Sequence, residues 1–132
     1  MNVIILGCGR VGALLARDLD KEGHAVTIID RNQDSFNRLG HEYHGSMILG
    51  TGIDEDVLRR AGVEKADVFI AVTNGDNTNA MSAQIAKGIF GVRKVIARLY
   101  DPVRQETYNT LGLETVSPTL IGAEKIKEKI KA

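Results

Sequence analysis

The residues best placed to do chemistry stand near the start of the chain. An apolar run, Val3-Ile4-Ile5-Leu6, leads into Gly7-Cys8-Gly9-Arg10-Val11-Gly12, and a second run, Ala25-Val26-Thr27-Ile28-Ile29, ends on Asp30. The three loop glycines do different things. Gly7 permits a tight turn, Gly9 lets a pyrophosphate touch the backbone, and Gly12 lets the following helix approach the strand. A helix starting near Arg10 aims unpaired N–H groups and its positive dipole end at an anion. Asp30, at the tip of the next strand, can accept the hydroxyls of a ribose, and its charge repels a 2′-phosphate. NAD-type or simple adenine nucleotides are therefore expected ahead of NADP. Because the loop falls between a predicted strand and a predicted helix, with the acid at the expected distance, the spacing points to a nucleotide site, not just a tight turn.

Catalytic groups are harder to find. A dehydrogenase needs a positioned His, Tyr or Lys to move a proton and a region that holds substrate. Here none of Tyr43, Tyr100 or Tyr108 has a lysine four residues on, so the tyrosine-lysine pair of short-chain reductases is missing. His41 and His44 flank Glu42 and Tyr43 at metal-like spacing, but no further ligands or cysteine cluster accompany them, and no metal is expected. His24 reads as a turn residue, and Cys8, inside the loop with no evident base, as a small structural side chain. No catalytic residue is assigned. The rival readings are an NAD-dependent oxidoreductase whose substrate region lies on another chain and, more distantly, a methyltransferase.

These residues need a scaffold, and the rest of the sequence supplies one. Short apolar runs at 46–49, 68–72, 95–97 and 114–116 continue the alternation of strand and helix. Six apolar strands separated by helices predict an α/β domain with a doubly wound, Rossmann-like parallel sheet in the order 3-2-1-4-5-6. In that topology the ligand crevice opens above strands one and four, so Gly7 to Gly12 should face Thr73, Asn74 and the residues up to Asn79. Periodicity predicts a first helix that buries Val11, Leu14, Leu15 and Leu19 and stops at Gly23. A helix over 54–61 carries acids first and arginines last. One over 76–90 is capped by Asp76 and has Met81, Ile85 and Ile89 on its apolar stripe. Another runs from Pro102 to about Leu111 and ends at Gly112. The segment 120–132 is amphipathic, with Leu120, Ala123, Ile126 and Ile130 on one side. Packing against its own sheet is expected ahead of docking on a partner.

The chain has 132 residues, enough for one core, and its 17 basic residues balance its 17 acidic ones. No net field or basic run exists to hold nucleic acid. The lone Cys8 excludes an internal disulfide and suits a reducing compartment. No stretch reaches the roughly 18 apolar residues of a membrane span, so no direct membrane insertion is expected.

Together, the glycine loop, Asp30, Leu58-Arg59-Arg60-Ala61-Gly62-Val63, Ala66-Asp67, Ala71-Val72-Thr73, Asn79, Ile96-Ala97-Arg98, Leu111-Gly112 and Val116-Ser117-Pro118 resemble the N-terminal nucleotide-binding domain of potassium-transport regulators, the TrkA-N, KTN or RCK family. The likeness covers essentially the whole of 1–132. It implies a cytoplasmic, non-enzymatic domain, peripheral to the inner face of the membrane through its partner. Such a domain pairs with itself, forms a ring of up to eight beneath a potassium channel or transporter, and senses NAD(H), ATP, ADP or AMP. Residues 119–132 become the crossover or dimerisation helix. The site implied comprises the backbone of Gly7, Cys8, Gly9, Val11 and Gly12 at the phosphates, Arg10 at a terminal phosphate, and Asp30 with Arg31 at the ribose. Thr51 and Gly52 lie near the base, Thr73, Asn74 and Asn79 on the far wall, and Arg98 is a further phosphate candidate. The chain departs from the family at Gly50-Thr51, where Gly-Asp is usual, and at Pro118-Thr119, where an acid commonly follows the proline. The first changes how the base is read, and the second argues against a metal-assisted ATP mode. The family's second, C-terminal lobe is not within these residues.

Overall fold

The computed structural model describes residues 1–132. Strands β1 (Asn2–Leu6), β2 (Ala25–Asp30), β3 (Ser46–Leu49), β4 (Val68–Ala71), β5 (Lys94–Arg98) and β6 (Glu114–Val116) form one sheet in the order 3-2-1-4-5-6. Every pairing is parallel. Between them lie α1 (Arg10–Lys21), α2 (Glu55–Arg60), α3 (Asp76–Gly88) and α4 (Pro102–Thr110), with α5 (Pro118–Lys131) following β6. Short 3-10 segments occupy Gln33–Leu39 and Val63–Lys65, both unforeseen from sequence. No helix is long and apolar enough to cross a membrane.

Side-chain alternation divides the core into two layers. Val3 and Ile5 of β1 join Val26, Ile28, Ala13 and Ala16 on one face, while Ile4 and Leu6 join Ile29, Phe69, Val95 and Leu58 on the other. Strands buried on both faces explain why the sequence shows continuous apolar runs.

Local signals set the helix ends. Asp54 caps α2 by accepting from the N–H groups of Asp56 and Val57, and Glu55, Asp56, Arg59 and Arg60 lie where the dipole favours them. Asp101 caps α4 ahead of Pro102, and Gly112 follows it at φ +88°.

The helix faces differ from expectation. In α1 the buried residues are Gly12, Ala13 and Ala16, with Leu15 and Leu19 only partly covered, while Val11 and Leu14 are 44% and 51% exposed. In α3 the buried residues are Asn79, Ala80, Ser82, Ala83 and Ala86; Met81 and Ile89 point outward, and Ile85 is partly buried. The cause is close approach. A helix that sits hard against the sheet selects its small residues for the contact, and the larger apolar ones move to its flanks. Asp76 is not a cap: Gly75 occupies that position, and the Asp76 carboxylate accepts instead from the N–H groups of Tyr100 and Asp101 at 2.8 and 3.0 Å.

The final helix does not pack on its own sheet. No residue of α5 is buried, and Leu120, Ile121, Ile126 and Ile130 are all exposed. It departs from the end of the edge strand β6, and its tie back to the body is the Thr119 hydroxyl donating to the Tyr100 carbonyl at 2.8 Å.

Candidate functional site

The three loop glycines occupy three different environments. Gly7 has φ +109°, and a Cβ there would lie 2.8 Å from the Val72 carbonyl oxygen; its N–H donates to the Ile29 carbonyl, which docks the turn between β2 and β4. At Gly12 a Cβ would fall 1.8 Å from the Gly7 carbonyl oxygen, so α1 can sit this close only with glycine. Gly9 precedes the first turn of α1 in extended backbone, with no side-chain cap and no heavy atom within 4 Å of where a Cβ would be. The first N–H groups of α1 therefore meet open space, the condition under which a helix N-terminus receives an anion.

A cavity of about 470 Å³ lies in front of this loop, within the size range of small-molecule sites. Of the residues proposed from sequence, Gly7, Gly9, Asp30, Arg31, Thr51, Gly52, Thr73 and Asn74 line it. The Asp30 carboxylate is fixed by backbone groups: Oδ2 accepts from the Cys8 N–H and Oδ1 from the Asn32 N–H, each at 2.8 Å. Each oxygen keeps a lone pair free for a hydroxyl.

The other predicted residues stand outside the cavity wall, each for a physical reason. Cys8 is fully buried, and its thiol donates to the Ser35 carbonyl at 3.2 Å. Burial, aided by the Asp30 charge, pushes that thiol up to about 11, so it stays protonated and is no nucleophile near neutral pH. Gly12 supports the loop from behind, Val11 faces solvent, and the exposed Arg10 lies beyond the cavity. Asn79, expected on the far wall, is fully buried behind it. Its Oδ1 accepts from the Thr73 N–H at 2.9 Å and the Thr73 hydroxyl at 2.6 Å, and its Nδ2 donates to the carbonyls of Thr73 and Arg98. Arg98 likewise turns away from the cavity. One terminal nitrogen donates to the carbonyls of Val72 and Thr73 at 2.8 and 3.0 Å, and its guanidinium lies 4.9 Å from the centre of the Tyr100 ring. Both residues hold Thr73 in place.

Sequence reasoning missed Asn32, Ser35 and Arg38; Gly50, Gly75 and Thr78, from stretches it had placed at the cleft, and the apolar Leu6, Ile29, Ile53 and Val72 also line the cavity. Asn32, Ser35 and Arg38 reach it because the 3-10 turn over Gln33–Leu39, capped by the Asn32 side chain, folds back beside the loop. Arg38 Nη1 donates to the Cys8 carbonyl at 3.3 Å. The Asn32-x-Asp34 cap was the available signal. Asp30, Arg31 and Arg38 are the charged side chains of the lining, and no His, Tyr, Lys or Cys belongs to it.

A second cleft, of about 450 Å³, lies between α1 and the 39–43 loop. Arg17, Lys21, Asp18, Asp20 and Glu42 give it charges of both signs, and His41 also lines it. His44 is largely exposed, with Nδ1 3.7 Å from Asp20. No three His, Cys, Asp or Glu side chains converge there or elsewhere in a metal-binding arrangement. Burial raises the Tyr43 hydroxyl well above the usual phenol range; it sits 2.9 and 3.1 Å from the carbonyls of Ser46 and Val26.

Comparison with known proteins bears on the same residues. The family model for the TrkA-N domain matches residues 3–118. The Trk system potassium uptake protein TrkA of Streptomyces coelicolor is 45% identical over 130 residues, covering 98% of this chain and 58% of that protein. A TrkA homolog of Pyrococcus abyssi is 35% identical over 108 residues, 82% of this chain and 48% of that protein. The chain thus spans about half the length of these relatives. Among solved structures, the TrkA-N domain of the Escherichia coli inner membrane protein ybaL superposes with a TM-score of 0.85 at 20% identity, over 96% of this chain and 94% of that one. The Shewanella denitrificans Kef CTD in AMP-bound form gives 0.82 at 22% identity, over 96% and 77%. The GsuK channel bound to NAD gives 0.72 at 23% identity, over 89% and 21%. At these identities the structural likenesses establish the fold.

Proposed function

The chain belongs to the TrkA-N domain family, and from that premise we propose that it is a nucleotide-sensing module that controls a potassium channel or transporter, working at the cytoplasmic face of the membrane. One observation carries the reading. The cavity has an open helix N-terminus and a ribose-facing carboxylate but none of the His, Tyr, Lys or Cys side chains with which bound nucleotides are usually put to chemical work. Such a site binds without reacting.

The diphosphate lies against the backbone from Gly7 to Gly9 and the first N–H groups of α1, and Asp30 accepts from the adenosine ribose. Arg31, Thr51 and Gly52 flank the adenosine end, and Thr73 and Asn74 close the far wall. Arg10, beyond the cavity, reaches a phosphate that extends past the loop, as the terminal phosphate of ATP does. NAD(H) is the leading ligand, with ATP, ADP and AMP as alternatives. The AMP and NAD in the Kef and GsuK structures are consistent with this class.

A route exists from ligand to output. Thr73 is gripped by Asn79 and Arg98, Asp76 binds the N–H groups of Tyr100 and Asp101, and the Tyr100 carbonyl receives Thr119 at the base of α5. A nucleotide that favours one position of the 73–76 loop biases α5, and α5, paired with a second copy, passes the bias to the membrane protein. Couplings of this kind are worth about 1 to 3 kcal/mol.

Calorimetric titration of the chain with NAD, NADH, ATP, ADP and AMP tests the proposal, with Asp30→Ala as control. Binding by the wild type, weakened about tenfold or more for NAD and ADP alike in the variant, is expected from the loss of a charged hydrogen bond. No binding by any nucleotide overturns the reading. Turnover of NADH with carbonyl compounds would instead favour an oxidoreductase completed by another chain.

A further inference from the structure

We infer that the ribose end of this cavity accepts a phosphate on the adenosine 2′-hydroxyl, so that NADP(H) is bound at least as well as NAD(H). The inference rests on the nucleotide reading above and names the ligand class of that same site. It reverses the expectation drawn from Asp30 alone.

The cavity wall beside Asp30 is built from Arg31, Asn32, Ser35 and Arg38. Two guanidinium groups thus accompany a single carboxylate, and no other charged side chain lines the cavity. Neither arginine has a carboxylate within ion-pair distance, since the acids that form ion pairs do so with His44, Arg59, Lys94 and Lys125. Arg38 is anchored at the loop by its bond to the Cys8 carbonyl. Asp30 already accepts one backbone N–H on each oxygen, which holds its carboxylate against the Cys8 and Asn32 backbone.

NAD itself offers this corner nothing to pair with. Its diphosphate belongs at the other end, against Gly9 and the start of α1, and its adenosine ribose is neutral. A 2′-phosphate would bring about −2 charge, as a phosphate monoester does near neutral pH. Two guanidinium groups in the same wall oppose the repulsion of a single carboxylate, and guanidinium matches phosphate in paired hydrogen bonds. The amide of Asn32 and the hydroxyl of Ser35 add neutral donors.

The test is titration of the full chain at fixed ionic strength with NAD, NADP, ADP and adenosine 2′,5′-bisphosphate, repeated on Arg31→Ala, Arg38→Gln and the double variant. Glutamine at 38 retains an amide donor for the Cys8 carbonyl, and the melting temperature reports whether each variant is folded. The expected result is a dissociation constant for NADP no larger than that for NAD. In the double variant, NADP and the bisphosphate should each weaken at least tenfold more than NAD and ADP do. NADP binding more weakly than NAD in the unmodified chain, or equal losses for both in the double variant, overturns the inference and leaves the nucleotide reading standing. Failure of all four compounds to bind overturns both.

Discussion

Gly9 and Gly12 sit three residues apart in one loop, yet substitution at each should fail for a different reason. A methyl group at Gly12 collides with the Gly7 backbone, which cannot yield without moving β1 from β4, so Gly12→Ala should cost several kcal/mol, about 3 or more, in chemical denaturation. Gly9 adopts φ −82°, which any residue can, and a methyl group there meets nothing. Gly9→Ala should therefore fold within about 1 kcal/mol of wild type and lose nucleotide affinity, because the methyl occupies the approach of the phosphate. A Gly9 variant that binds normally would remove the diphosphate from this loop. Cys8 carries a separate signature. Its thiol titrates near 11 in the fold against about 9 when free, so the stability due to the buried neutral thiol is fully present below pH 9 and is lost as pH rises through 11. Urea midpoints from pH 8 to 11 should fall more steeply for wild type than for Cys8→Ala. Parallel curves would mean that the thiol is not held as described.

At the scale of elements, the clamp behind the cavity wall ties three of them together. Asn79 reaches back from α3 to hold the end of β4, while its amide also takes the carbonyl at the end of β5. It satisfies backbone groups that the sheet leaves open where two parallel strands diverge. Asn79→Ala would strand these groups in a dry interior at about 1 to 3 kcal/mol each before relaxation, so a total loss of about 3 kcal/mol is expected, together with weaker nucleotide binding through a loosened Thr73. Thermal melts with and without ligand measure both effects. The sequence offered Asn79 as a ligand contact. Buried in α3 among Ala80, Ser82, Ala83 and Ala86, it belongs instead to the small-residue face that lets the helix approach the sheet.

For the whole molecule, α5 is the element that the body leaves unused. A parallel sheet with a core layer on each face is complete without it, and its apolar stripe of Leu120, Ile126 and Ile130 remains exposed. A self-paired regulator accounts for that stripe by burying it against a second copy. Sedimentation of the chain should then give a dimer, and the double substitution Ile126→Glu and Ile130→Glu should shift it to monomer while leaving the melting transition of the body nearly unchanged, since neither side chain touches the core. A monomeric wild type would remove the proposed coupling through α5.

The sequence alone determined the strand order, the loop, and the placement of Asp30 beside it. These follow from neighbour-to-neighbour pattern and from the handedness of parallel crossovers, both written along the chain. It misjudged the faces of α1 and α3, because periodicity marks apolar residues but not how closely a helix will sit, and that distance decides whether alanine or methionine faces the sheet. Only the tertiary structure turned Asn79 and Arg98 from the ligand toward Thr73, and brought Arg38 up to the cavity on a turn that carries no periodic signal. A hydrogen-bond partner is chosen by proximity in space, and residues far apart in sequence acquire that proximity when the sheet has formed.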